Sequence, residues 1–164
     1  MKGKAHRFGN DINTDYIISG RHKFKTLDMD ELACHVMEDL DPHFVKRLKK
    51  GDFIVAGKNF GCGSSREQAP LALKHAGVAA VLAESFARIY FRNSINNGLP
   101  ALVCDTSGID DGDTLEVDLA KGTITNVTKG SEIESPPLPR VMLDILSEGG
   151  LVEYMRKHGR LSLE

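Results

Sequence analysis

The sequence predicts an α/β fold with a mainly parallel core and additional antiparallel strands. Two runs that are almost wholly apolar, Asp52-Phe-Ile-Val-Ala56 and Val78-Ala-Ala-Val-Leu-Ala83, flank a glycine-rich loop and a helical stretch. Continuous apolar runs of this length are the signature of strands buried on both faces, and strand, helix, strand with little intervening loop makes a right-handed parallel unit. From Asp105 onward the character changes. Gly and Asp turn signals punctuate Thr114–Leu119 and Thr123–Val127, whose apolar residues alternate as they do in half-buried antiparallel strands.

Taken in order, Lys4–Phe8 reads as a short strand that runs into Gly9–Gly20, a stretch of turn chemistry. Asn10, Asp11, Asn13 and Asp15 can each bond their own backbone. They form either a capped turn or a polar ridge beside the glycine loop, with Asp15 able to orient a hydroxyl or an arginine there. Arg21-His-Lys-Phe-Lys-Thr26 is either a solvated basic face or a loop that supplies a cation to an acidic substrate. Asp28 or Asp30 can cap a helix carrying Leu32, Val36 and Leu40, and a second short helix follows Pro42 with Phe44, Val45 and Leu48 on its apolar face.

The chain is organised around Gly57–Pro70, Gly-Lys-Asn-Phe-Gly-Cys-Gly-Ser-Ser-Arg-Glu-Gln-Ala-Pro. Gly57, Gly61 and Gly63 permit positive φ and close backbone approach, and Ser64 or Ser65 can cap the helix that follows. A helix N-terminus is a ready anion site, to which Arg66 and Lys58 add full charges; Arg66 can grip a carboxylate with two parallel bonds. Beyond Gly77 and the second strand, Ser85 is a candidate cap for a helix with Phe86, Ile89, Tyr90 and Asn93 on one face. Asn97-Gly98 ends it, and Leu99–Cys104 is a third short strand. Lys121-Gly122 fits a hairpin, Glu134–Pro139 an extended bridge, and Arg140–Ser147 and Leu151–His158 two closing helices separated by Gly149-Gly150. There is no internal repeat or linker, so residues 1–164 are expected to form one domain.

Composition narrows the function classes. With 41% hydrophobic and 27% charged residues in 164, the chain can bury a core without disulfides or metal. A net charge of -2 offers no basic field for nucleic acid. No apolar run is long enough to span a membrane and no secretory leader is visible, so the cytoplasm is expected. Cys34, Cys62 and Cys104 are odd in number and widely spaced, which argues against disulfides, zinc or an iron-sulfur cluster held by this chain.

Three motif chemistries compete for the central loop. A P-loop fails because Lys58 is followed by Asn59 rather than Ser or Thr. A dinucleotide fingerprint has Gly61-Cys-Gly63 after a strand and Glu84 ending the next one, but Arg66 occupies the third glycine position. A nucleophilic Cys62 is chemically reasonable at a helix N-terminus, although no base is specified.

Gly61-Cys-Gly-Ser-Ser-Arg-Glu67, the later Ser85-Phe-Ala-Arg-Ile89 and the early Asn13-Thr-Asp15 together resemble the small subunits of 3-isopropylmalate dehydratase and their relatives, including homoaconitase-type small subunits, in the aconitase superfamily. The order and spacing match over nearly the whole chain. The resemblance implies a swivelling β/β/α domain and a site completed by a separate large subunit that carries a four-iron four-sulfur cluster; this chain itself would bind no cofactor or metal. It implies that Ser64 is the base that removes a proton beside a substrate carboxylate, that Arg66 binds a carboxylate, and that Ser65 positions the substrate or the returning proton. Relatives read the substrate's variable group with the segment after the Thr-Asp motif, which is where this sequence departs from them. Here Arg21, Lys23 and Lys25 are candidate carboxylate ligands, with Asp15 beside them, while Phe24 could cover an alkyl group. 3-Isopropylmalate is the favoured substrate, with homoaconitate or a methylated malate as the alternatives. Self-association is a further expectation; a dinucleotide-binding protein and a non-catalytic carboxylate-binding module are readings of other classes.

Overall fold

In the computed structural model, residues 1–161 are described. Seven strands form one mixed sheet in the order β4-β3-β2-β1-β5-β6-β7. They are β1 (Lys2–Arg7), β2 (Phe53–Ala56), β3 (Ala80–Ala83), β4 (Ala101–Val103), β5 (Thr114–Asp118), β6 (Thr123–Asn126) and β7 (Ser131–Glu134). β1 pairs in parallel with β2 through Ala5 and Phe53, and antiparallel with β5 through Gly3 and Leu115. The parallel half therefore runs from β1 to β4 and the antiparallel half from β1 to β7.

Both faces of β2 and β3 are covered, which is why these strands are apolar throughout. Ile54, Ala56, Val81 and Ala83 join one core with Ile17, Phe60 and Leu73. Phe53, Val55, Ala80 and Leu82 join a second with Leu115, Val117 and Ile124. Strands from both halves share that second core, so the sheet curls upon itself. Between β1 and β2 lie four short helices: α1 (Thr14–Ile17), α2 (Gly20–Lys23), α3 (Met29–Ala33) and α4 (Phe44–Arg47). The crossovers are α5 (Gln68–His75) and α6 (Arg88–Asn96), and α7 (Arg140–Ser147) and α8 (Leu151–His158) pack against α6 around Ile95, Ile145 and Tyr154.

Asp52 pins the start of β2. Its carboxylate accepts from His6 Nε2 and from the amides of Lys4 and Lys49, each at 2.9 Å. Burial works against the charge, but these donors hold the carboxyl below the usual carboxylate range.

Several local expectations give way. The helix capped by Asp28 stops at Ala33, because Met37 adopts φ 60° and its amide donates to Ile17 O at 2.9 Å, tying the segment to α1 instead. Ser85 caps nothing: its hydroxyl accepts from the Asn59 amide at 2.8 Å, and α6 starts three residues later. The buried face of α6 is Tyr90, Ser94 and Ile95, leaving Ile89 55% exposed. β7 is an extra strand in a stretch whose polar, mostly exposed residues give no alternation to read.

Candidate active site

The glycine loop and the early polar ridge are built as one unit. Gly61 N donates to Ile12 O at 2.7 Å and Thr14 N to Cys62 O at 2.9 Å, so Asn13 and Cys62 form a parallel bridge outside the named strands. Asn10 Oδ1 accepts from the Lys58 amide at 2.7 Å, and Asp11 Oδ1 accepts from Asn59 Nδ2 at 2.9 Å. Two glycines make this fit possible. A Cβ on Gly57 would overlap the Asn10 side chain, and one on Gly61, at φ 80°, would overlap the Tyr90 ring.

Ser64 and Ser65 stand exposed on this loop, and Thr14 Oγ1 donates to Ser64 O at 2.9 Å, fixing its backbone. Neither serine caps a helix. α5 starts at Gln68 with Glu67 as its N-cap and no side-chain cap bond, so the serines lie before the helix end in an irregular loop. Arg66, with a side chain only 16% exposed, places Nη1 3.0 Å from Asp15 Oδ1. The N–H is not directed along that line, and the buried Nη1 has no hydrogen-bond partner. Asp15 sits on α1, whose N-cap Asn13 accepts from the Tyr16 amide.

Lys23 ends α2 and is half-buried. Burial lowers its pKa, the Arg66 charge lowers it further, and Asp15 acts in the opposite sense. Its Nζ lies 4.5 Å from the centroid of the Phe24 ring. The other two basic candidates are placed differently. Arg21 is committed to Asp39 at 2.6 Å and to Glu38 at 3.4 Å, and Lys25 is exposed.

The serines and Arg66 open on a cleft of about 500 Å³ between the loop and α6. Arg88 and Arg92 also line it, one helical turn apart, and among the described residues neither makes an ion pair. Among the described residues, no carboxylate lines the cleft. Three guanidinium groups thus face one space, a charge balance suited to a small polyanion. Sequence reasoning missed Arg88 and Arg92; their four-residue spacing was the available signal.

The competing chemistries do not match this geometry. Burial and then the Asp11 charge push the Cys62 thiol up, the reverse of an activated nucleophile. The Gly61 face that would meet a pyrophosphate is filled by Tyr90. The cysteines do not fit an iron-sulfur cluster either. Cys34 is exposed, Cys104 is buried with its thiol pushed up to about 12, and among the described residues the one group with metal-ligand spacing is His22, His35 and Glu38, which contains no cysteine.

Known proteins resemble this chain in sequence and fold. Residues 25–106 match the aconitase C-terminal domain. The chain is 62% identical, over 99% of both chains, to 3-isopropylmalate dehydratase small subunit 2 of Archaeoglobus fulgidus. It is 54% identical to the methanogen homoaconitase small subunit of Methanothermobacter thermautotrophicus, over 96% of this chain and 91% of that one. The crystal structure of 3-isopropylmalate dehydratase from Methanocaldococcus jannaschii superposes with a TM-score of 0.92 at 49% identity, over 96% of this chain and 94% of the other. With a curled mixed sheet that superposes on a solved relative and full-length identity of this degree, the chain belongs to the aconitase C-terminal domain family, alongside the small subunits of 3-isopropylmalate dehydratase and methanogen homoaconitase.

Proposed function

We propose that this chain is the small subunit of a hydro-lyase that interconverts 2-isopropylmalate and 3-isopropylmalate by dehydration and rehydration, a step of leucine biosynthesis, and that it acts only with a large subunit. The observation that carries the reading is the cleft in which Ser64, Ser65 and Arg66 face Arg88 and Arg92 without a lining carboxylate. Arg66, which lines the cleft, receives one substrate carboxylate, and Lys23 on α2 supplies a second cation. Ser64, as an alkoxide favoured by the adjacent guanidinium charge, takes the proton from the carbon beside the bound carboxylate and becomes the neutral hydroxyl as the negative charge passes to the substrate; Ser65 holds the substrate in line.

Ser64 is open to solvent in the chain by itself. A serine oxygen becomes a usable base only when water is excluded, so the covering surface must come from elsewhere. The large subunit supplies that surface and, in this reading, holds the four-iron four-sulfur cluster, for which the described residues of this chain offer no cysteine-bearing ligand group. The two subunits work in the cytoplasm, and residues 1–164 act as one swivelling domain. Among the described residues, no helix is long and apolar enough to cross a membrane.

Homoaconitate or 2,3-dimethylmalate is the second reading, favoured by the cationic Lys23 and the 54% identity to a homoaconitase small subunit. Anaerobic reconstitution with a cluster-bearing large subunit from the same cell, assayed on 3-isopropylmalate, homoaconitate, citrate and 2,3-dimethylmalate, decides between them. Turnover of 3-isopropylmalate above the others supports the first reading. A formed complex that is silent on all four removes it.

A further inference from the structure

Two arginines of the cleft carry charges that nothing else in the chain answers. Among the described residues, every arginine side chain except those of Arg88, Arg92 and Arg160 meets a carboxylate or a backbone carbonyl. Arg160 is exposed beyond α8 and does not line the cleft. Arg88 and Arg92 are also exposed, and both line it.

Without a ligand this placement is unfavourable. Arg88 is the first residue of α6, where the free amides of a helix disfavour a cation. Arg92 sets a like charge on the same helical face one turn later, and α6 contains no acidic residue that balances the pair. The first turn of α6, Arg88 to Tyr90, is also the part of that helix that lies in the wall of the cleft with Ser64, Ser65 and Arg66.

The two walls differ in how they hold their charge. On the loop side, Arg66 has a side chain only 16% exposed, with Asp15 Oδ1 at 3.0 Å. On the α6 side, Arg88 and Arg92 are open and uncompensated. One fixed guanidinium facing two free ones suits a molecule with a carboxylate at each end. We propose that Arg88 is a substrate-binding residue: it receives the second carboxylate of the substrate whose first carboxylate lies on Arg66, and Arg92 strengthens the field there. The substrate then spans from the loop to α6, past the two serines. This rests on the reading of the cleft as a hydroxy-acid site and adds which element grips the far end of the substrate.

The test is equilibrium binding of succinate and of its monoamide, succinamate, to the reconstituted two-subunit enzyme, read by calorimetry. Succinate carries the pair of carboxylates on adjacent carbons that all four candidate substrates share, and it has no hydroxyl to lose, so binding is read without turnover. In the wild-type complex the amide is expected to weaken binding at least about tenfold, the effect of losing one charge-assisted pair. In Arg88→Gln the Kd of succinate is expected to rise at least about tenfold, and succinamate to bind as well as succinate, because the amide can take the end that the guanidinium has left. Arg160→Gln, which removes an unpaired charge away from the cleft, is expected to change neither Kd. Association of Arg88→Gln with the large subunit is expected to stay within about twofold of wild type. An unchanged succinate Kd in Arg88→Gln, or an amide penalty that persists there, overturns the proposal. So does an equal loss in Arg160→Gln, which would make the effect one of net charge, and so does the absence of succinate binding by the wild-type complex. Weakened subunit association with normal succinate binding would make Arg88 a contact to the partner and overturn it too. The expected binding pattern in a complex that turns over none of the four substrates removes the hydro-lyase reading and leaves the two-ended carboxylate site standing.

Discussion

Arg66 Nη1 lies 3.0 Å from Asp15 Oδ1 and yet makes no hydrogen bond to it. The acid offsets the guanidinium charge and holds it in place without using the N–H groups that a substrate would need. A buried donor left unpaired costs about 1–3 kcal/mol, a cost that a carboxylate bound as proposed would relieve if it reached this nitrogen.

Arg66→Lys is therefore expected to be a severe change. Lysine keeps the charge but loses the planar pair of donors, so kcat/KM falls by about a hundredfold, mostly through KM. Steady-state kinetics of the reconstituted enzyme check this; near-normal KM would mean that the carboxylate is held elsewhere.

Ser64→Ala separates binding from chemistry. With the loop backbone still fixed through Thr14, the complex should assemble and bind substrate, while kcat falls by about 10²–10⁴, the usual worth of a positioned base. Retention of wild-type turnover removes Ser64 as the base and favours a non-catalytic carboxylate-binding role for the loop.

The lowered pKa of Lys23 gives a pH signature. Desolvation and the Arg66 charge make Lys23 lose its proton below the ordinary lysine value of 10.5. KM should therefore rise on the alkaline side before an ordinary lysine would titrate, and Lys23→Met should flatten that limb while raising KM throughout. An identical alkaline limb in Lys23→Met would assign the titration to another group.

Asp52→Asn tests the centre of the sheet. Because the native carboxyl is held below its unfolded value, its contribution to stability is fully present above the unfolded pKa and is lost as pH falls through the native one. The variant should be less stable by about 2 kcal/mol near neutral pH, with the difference narrowing in acid. Urea unfolding at several pH values reads both quantities.

The parallel core was legible because Phe53–Ala56 and Ala80–Ala83 are buried on both faces and so carry no polar interruptions. The closing helices were legible because prolines and paired glycines bound them. β7 was not, since its exposed Ser, Glu and Glu side chains are decided by pairing with β6 rather than by burial. At the site, the Ser-Ser-Arg stretch and Asp15 were readable as neighbours in chemistry, and the fold brings Asp15 and Arg66 into contact. Arg88 and Arg92 escaped notice because a charged pair on a helix ordinarily faces solvent, and only the packing of Tyr90 against Gly61 turns that helix toward the loop. The ion pairs of Arg21 were not legible for the opposite reason: its partners Glu38 and Asp39 lie across a turn created by the positive φ of Met37, which no local pattern announces.

The place of β1 between β2 and β5 also has a consequence for synthesis. β1 is the seam of the sheet, made before both of its partners and hydrogen-bonded on one side to residues near 53 and on the other to residues near 115. A nascent chain emerging from the ribosome can assemble the parallel half early, but one long edge of β1 stays open until residues near 115 have been made. That open edge is the point at which an arrested or truncated chain would aggregate, and the point a chaperone would have to shield.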